Sequence, residues 1–387
     1  MANAFDPVDD HLALALVPGL GPKLTAALLA TFGSPAAARR ATASQLRAIP
    51  HIGEKLAESF ATALRTVNVE PELALLARFG VRPIPLGSPD YPPPLATVTN
   101  PPPLLYFRGE WTPADAGAVG IVGSRGCTSY GKRMTEQIAK GLVRAGITIV
   151  SGLARGIDGA AHRAALEAGG RTLAALAGGL SEIYPPEHAE LANEVAAHGA
   201  LISETPMSMA PQPGMFPARN RIISGLSRAV VVVEANARSG ALITARHALE
   251  QGREVFAVPG NTDSAASAGC LELIRNGARL VRSADDILED LKGIATPEYG
   301  ANAKPRGAKR FEARDEVQTP VAPPPPEVPT ILDPTHLRIW ELLESRRHGD
   351  ELAREAALSV SELSRALTQM ELKRLVRRLP GNFYERR

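Results

Sequence analysis

Between residues 117 and 292 the chain alternates short, β-branched apolar runs with amphipathic stretches, and this alternation restricts the fold more than any other feature of the sequence. The runs are 118–122, 147–150, 172–176, 200–203, 229–233, 254–258 and 279–282. The amphipathic stretches lie near 130–145, 158–169, 188–198, 240–250 and 270–276. Near-continuous apolar runs describe strands covered on both faces. A helix between successive strands requires right-handed crossovers. The expected fold class is α/β, a doubly wound and mostly parallel sheet of Rossmann-like type. Such sheets bind ligands at the carboxyl ends of their strands, so function is expected on the loops that leave the runs.

With 387 residues there is room for two or three domains. Residues 1–82 are rich in Ala and Leu at helical spacing and read as a small all-α domain. Residues 83–110 are dense in proline, which removes donors and fixes φ, so they read as an extended connector laid on the central domain, 83–295. Residues 296–330 are polar and hold Pro323-Pro324-Pro325-Pro326; they cannot bury enough apolar surface to order themselves and read as a flexible linker. Helical periodicity returns over 331–387.

Composition excludes several classes. Hydrophobic residues at 44% and charged residues at 22% rule out a wholly disordered chain, and no apolar run of about 18 residues is present to span a membrane. Lys and Arg number 43 against 41 Asp and Glu, so any nucleic-acid site must come from local clustering. Cys127 and Cys270 are too few for a disulfide framework or a cysteine-rich zinc site. The first residues lack the basic and apolar regions of a secretory signal, and a cytoplasmic location is expected. Aromatics are 4%, so base stacking would fall to a few rings.

The strand-end loops combine Gly and Ser with Arg. They are Gly123-Ser124-Arg125; Ser151-Gly152-Leu153-Ala154-Arg155-Gly156-Ile157-Asp158; Ala177-Gly178-Gly179, followed by Tyr184-Pro185-Pro186; Glu204; Phe216-Pro217-Ala218-Arg219-Asn220-Arg221; Glu234 with Arg238-Ser239-Gly240; and Pro259-Gly260-Asn261. Glycine lets backbone N–H groups approach a ligand, and guanidinium forks suit phosphate oxygens. Arg125, Arg155, Arg219, Arg221 and Arg238 are expected to converge on one sheet edge as a site for phosphates. The other reading pairs them with Asp158, Glu204 and Glu234 to order the loops. The turn after the first run has neither G-x-G-x-x-G nor a Walker sequence. Asp158 and His162, at i and i+4, are either an acid–base pair or a cap carboxylate with a helix-surface histidine. No serine triad and no metal-ligand spacing occurs, so neither cofactor nor metal is expected.

The flanking pieces carry their own motifs. Leu16-Val17-Pro18-Gly19-Leu20-Gly21-Pro22-Lys23-Leu24 and Ile49-Pro50-His51-Ile52-Gly53-Glu54-Lys55-Leu56-Ala57 look like the hairpins of helix-hairpin-helix units, although residues 1–70 hold as many acidic as basic groups. Leu337–Leu343, Asp350–Ala357 and Ser361–Leu372, followed by Leu375–Leu379 and Asn382–Tyr384, have the spacing of a C-terminal winged helix, a ligand for DNA or for protein.

Together these motifs resemble the DNA-processing protein A (DprA/Smf) family. The resemblance is carried by Ser88-Pro89-Asp90-Tyr91-Pro92, Pro101-Pro102-Pro103-Leu104-Leu105, Ile121–Arg125, Ser151–Asp158 with His162, Phe216–Gly225, Glu234 with Ser239-Gly240 and Thr244, and Val258-Pro259-Gly260. It implies an extended Rossmann-like domain without nucleotide chemistry. That domain would bind single-stranded DNA, form a homodimer and help load the RecA recombinase onto incoming DNA, which it protects, during natural transformation in competent cells. It also implies a DNA pocket made by Gly123, Ser124, Arg125, Ser151, Gly152, Arg155, Gly156, Phe216, Arg219, Asn220, Arg221, Arg238, Ser239 and Gly240. Where the family shows G-x-N, this chain has Gly269-Cys270-Leu271, and Leu271 cannot hydrogen-bond as Asn does. Two rivals stand beside this reading: a Rossmann-like nucleotide-phosphate hydrolase or ribohydrolase using Asp158 or Glu234, and a regulatory scaffold acting through its flanking modules.

Overall fold

The computed structural model describes residues 8–292 and, towards the C-terminus, 334–343, 347–356, 358–372, 375–379 and 383–386. The expected linker 296–330 lies outside the described residues. The chain divides into Met1–Ala313 and Arg314–Arg387.

In the first unit, six helices precede the sheet: α1 (Val8–Leu16), α2 (Pro22–Phe32), α3 (Pro35–Arg39), α4 (Ala43–Arg47), α5 (Glu54–Thr66) and α6 (Glu70–Phe79). Leu14, Leu28, Leu46, Phe60 and Leu64 close their core. The two expected hairpins join α1 to α2 and α4 to α5. Both turn through left-handed backbone, at Gly19 (φ 80°) and at His51 (φ 70°). An L side chain there costs about 1 kcal/mol.

The strands are β1 (Arg82–Pro85), β2 (Leu104–Gly109), β3 (Val119–Val122), β4 (Ile149–Ser151), β5 (Thr172–Ala175), β6 (Gly199–Ser203), β7 (Ala229–Val232), β8 (Glu254–Ala257) and β9 (Arg279–Leu280). They form one sheet in the order β1-β2-β6-β5-β4-β3-β7-β8-β9. β3 to β9 pair in parallel, as the apolar runs predict; β1 and β2 are antiparallel additions. The proline-dense segment is thus part of the sheet, with α7 (Pro93–Ala96) between its strands. Pro83 and Pro85 are tolerated because β1 is an edge strand with one neighbour.

Helices α8 (Ser129–Arg144), α9 (Ile157–Glu167), α10 (Ala189–His198), α11 (Met215–Leu226), α12 (Ala241–Glu250), α13 (Ala268–Arg275) and α14 (Ala284–Lys292) cover both faces. α11 replaces a segment expected to be loop, and α14 falls where no element was expected. Val122, Val150, Leu173 and Val230 pack on one face, and Val119, Ile121, Ile149 and Val231 on the other. Strand order reverses between β3 and β7, and that switch point places the loops after these strands side by side. No described helix is long and apolar enough to cross a membrane.

The second unit has the expected winged-helix elements, α15 (Pro334–Leu342), α16 (Gly349–Ala356), α17 (Val360–Leu372), β11 (Val376–Leu379) and β12 (Phe383–Arg386), and adds a short strand, β10 (Arg347–His348). Its three strands run in the order β10-β12-β11. Ile339, Trp340, Leu352, Leu367 and Met370 form its core.

Candidate nucleic-acid interface

The switch point is held together by backbone bonds and one carboxylate. The Ser124 N–H donates to the Glu234 carbonyl at 2.7 Å, and the Ile157 N–H to the Ser124 carbonyl at 3.2 Å. A Cβ at Gly123 would lie 2.6 Å from Ile157 and 2.9 Å from the Glu234 carbonyl oxygen, so only glycine permits this approach. Gly156 (φ 72°) abuts the carbonyls of Ser124 and Arg125 in the same way. Buried Glu234 accepts from the Thr128 N–H at 3.0 Å and from Thr128 Oγ1 at 2.6 Å, fixing the start of α8. These contacts leave Arg125 exposed at the rim.

α11 supplies the opposite wall. The Arg125 guanidinium lies 4.8 Å above the Phe216 ring, within cation–π range. Tyr184 meets Phe216 edge to face, with centroids 5.8 Å apart and ring planes at 61°. Asn220 Nδ2 donates to the Gly240 carbonyl at 3.2 Å and ties α11 to the turn before α12.

Arg219 lies beneath the floor. It is 4% exposed, and its Nη1 donates to the Ala175 carbonyl at 2.6 Å. A Cβ at Gly152 would stand 1.9 Å from Arg219 Nη1 and 2.6 Å from Asp158 Oδ2, so the missing side chain makes room for this pair. Burial pulls the Arg219 pKa down to about 10, with the Asp158 charge opposing that drop, so the group stays cationic at neutral pH. Burial pushes the Asp158 carboxyl up, against Arg219 and the N–H groups of Ala154 and Gly152.

Two adjoining clefts result. Gly123, Ser124, Arg125, Phe216, Arg219, Asn220, Ser239 and Gly240 line a wide, open cleft. Arg125, Gly152, Arg155, Tyr184, Phe216 and Arg219 line a smaller, tight cleft with water-sized free space.

Four of the expected site residues stand elsewhere. Ser151 is fully buried and donates to the Ile121 carbonyl at 2.6 Å, inside the sheet. Gly156 acts as a buttress behind Arg125. Arg221 pairs with Glu204 and lines a separate groove beside the first hairpin. Arg238 is exposed on its turn and lines neither cleft. Of the five arginines expected to converge, Arg125, Arg155 and Arg219 line the clefts, but buried Arg219, beside Asp158, and Arg221, paired with Glu204, follow the loop-ordering alternative. Arg155 also has a carboxylate partner, Glu187.

Asp158 and His162 are not an acid–base pair. The buried His162 ring places Nδ1 2.7 Å from Thr172 Oγ1, which itself donates to the Ile149 carbonyl, so the histidine must donate. Tyr184 is the residue that sequence reasoning left out of the site; its signal was an aromatic beside Pro185 on a strand-end loop.

The family profile for DNA recombination-mediator protein A matches residues 82–292, the segment that carries both clefts. The chain belongs to this family. The DNA recombination-mediator protein A assignment is extended by two flanking profiles: a SAM-like helix-hairpin-helix tandem over 12–66 and a DprA winged-helix domain over 322–382. Protein Smf of Synechocystis is 37% identical over 97% of this chain and 98% of its own length. DNA processing protein DprA of Bacillus subtilis is 47% identical over 57% of this chain and 74% of its own. Among solved structures, DprA of Streptococcus pneumoniae aligns with a TM-score of 0.64 at 33% identity, covering 73% of this chain and 97% of that one. DNA processing protein A of Helicobacter pylori, solved for its single-stranded DNA binding mode, aligns with a TM-score of 0.51 at 29% identity over 56% of this chain and 98% of that one.

Proposed function

We propose that this chain is a cytoplasmic recombination mediator that binds single-stranded DNA, protects it and helps load RecA during natural transformation, acting as a homodimer and making or breaking no covalent bond. The observation that carries the reading is the Arg125–Phe216 pair at the junction of the two clefts. A guanidinium there offers forked donors to a phosphate, and the ring beside it offers a face to an unstacked base. A duplex holds its bases stacked and paired, so this combination suits a single strand. The hydrolase alternative relies on Glu234 or Asp158, whereas Glu234 is engaged by Thr128 and Asp158 sits below the floor beside Arg219. Filament assembly by RecA on single strands coated with a single-strand-binding protein tests the reading. The full chain is expected to shorten the lag and slow nuclease digestion of the strand; an unchanged lag overturns the loading role.

A further inference from the structure

Three helices begin around the switch point: α8 after β3, α9 after β4 and α12 after β7. In open α/β sheets a nucleotide phosphate sits at such a helix start, where unpaired N–H groups and the helix dipole favour an anion. Here the chain supplies acceptors of its own. Buried Glu234 lies against the start of α8. Its Oε1 accepts from the Thr128 N–H at 3.0 Å, and its Oε2 accepts from the same N–H at 3.3 Å and from Thr128 Oγ1 at 2.6 Å. Thr128 Oγ1 in turn accepts from the Gly131 N–H at 3.2 Å and caps the helix. A Cβ at Gly131 would stand 2.6 Å from Glu234 Oε2, so the carboxylate rests directly on the first turn. Ahead of α9, Asp158 takes the N–H groups of Ala154 and Gly152. At α12, Ser239 Oγ accepts from the Ala241 N–H at 3.3 Å, and the Leu242 and Ile243 N–H groups turn back to the carbonyls of Ser239 and Gly240.

A carboxylate and a phosphate compete for the same donors, since the oxygens of both accept hydrogen bonds. Glu234 also fills the volume a phosphate would need at α8. The guanidinium of Arg125, exposed at the rim, lies outside this closed position. A single exposed ion pair is worth little. A strand adds neighbouring phosphates and a base for the Phe216 ring, which a mononucleotide phosphate alone does not.

We infer that Glu234 determines specificity by standing where a nucleotide phosphate would bind, closing the start of α8 to phosphomonoesters so that the switch point admits a strand at its rim and not a mononucleotide. The ligand admitted rests on the proposed single-strand function; the exclusion of phosphomonoesters does not.

The test uses the full chain, with equilibrium dialysis against radiolabelled AMP at constant ionic strength. Wild type is expected to show no saturable uptake at millimolar AMP. Glu234→Ala empties the position and should bind AMP at least about ten-fold tighter than the wild-type limit, the share of a hydrogen bond to a charged group. Glu234→Ser, which leaves only a short hydroxyl there, repeats the comparison if the alanine variant does not fold. Glu234→Gln keeps the volume and an acceptor, so it should stay closed. In wild type, AMP should displace a labelled single-stranded 20-mer no more than sodium chloride of equal ionic strength does. Saturable AMP binding or specific displacement in wild type overturns the inference, as does a folded truncation that takes up no AMP. A gain in Glu234→Gln equal to that in Glu234→Ala also overturns it, because charge and not occupancy would then be the cause. A chain that binds no single strand fails the proposed function and leaves the dialysis result to decide the role of Glu234.

Discussion

The guanidinium of Arg125 stacks on the ring of Phe216, and the two residues come from elements 91 positions apart, the loop after β3 and the first turn of α11. In the proposed site the pair would join an anion contact to a stacking face, and the two roles should separate by mutation. Arg125→Ala should weaken binding to every single strand and reduce the log–log salt slope by about 0.7, the share of one phosphate on a single strand. Phe216→Ala should cost about 1–3 kcal/mol and leave that slope unchanged. Titrations at several salt concentrations read both.

Gly152 is required by what occupies its side-chain space. Gly152→Ala should displace Arg219 and Asp158, since the new methyl would fall on their polar atoms. Both a loss of single-strand affinity and a fall in melting temperature are expected. Gly126→Ala, on the same rim with open space around its Cβ, is the control and should leave both near wild type.

Asp115 is fully buried and gathers several donors. Thr148 Oγ1 reaches Oδ1 at 2.7 Å, the Thr112 N–H reaches Oδ2 at 2.7 Å, and Arg171 bonds both oxygens at 3.0 and 2.9 Å. Asp115→Ala leaves these donors without a partner. It should cost about 2–4 kcal/mol in denaturant unfolding, below the value for a wholly buried pair because Arg171 is a third exposed. DNA affinity of the folded fraction should not change.

His162 gives a pH signature. Burial lowers its pKa from the usual 6.5 to about 3, with His188 and Arg219 adding to the effect. The unfolded chain takes a proton near pH 6.5 and the folded chain only near pH 3. Acid therefore favours unfolding across that window, and above pH 6.5 the residue contributes no pH dependence. The stability difference between wild type and His162→Gln should shrink by roughly 1.4 kcal/mol per unit as pH falls from 6 to 4. A difference constant with pH would contradict the burial.

The parallel strands β3 to β9 were legible because a strand buried on both faces is an apolar run that needs no partner to be noticed. β1 and β2 were hidden by their prolines, which read as a connector until the edge position of β1 is known. The site was legible in its glycines and in Arg125. It was not legible in α11, where Pro217 suggested a loop, although proline is accepted in a first helical turn. That one difference decides which arginines meet. On a helix, Phe216, Arg219, Asn220 and Ile223 share a stripe and line the open cleft, while Arg221, two positions on, points to another groove. Nor could sequence separate Arg219, which is buried, from Arg125, which is not, because burial depends on which strands α11 packs against.

In the proposed function, the rim holding Arg125 and Phe216 grips a single strand. Titration of the full chain with a 20-mer single strand and with the duplex of the same sequence, at low and at physiological salt, tests it directly. A clear preference for the single strand is expected, persisting at both salt concentrations and lost in the Arg125→Ala, Phe216→Ala double variant. Equal affinity for single strand and duplex, or full single-strand binding by the double variant, would contradict it.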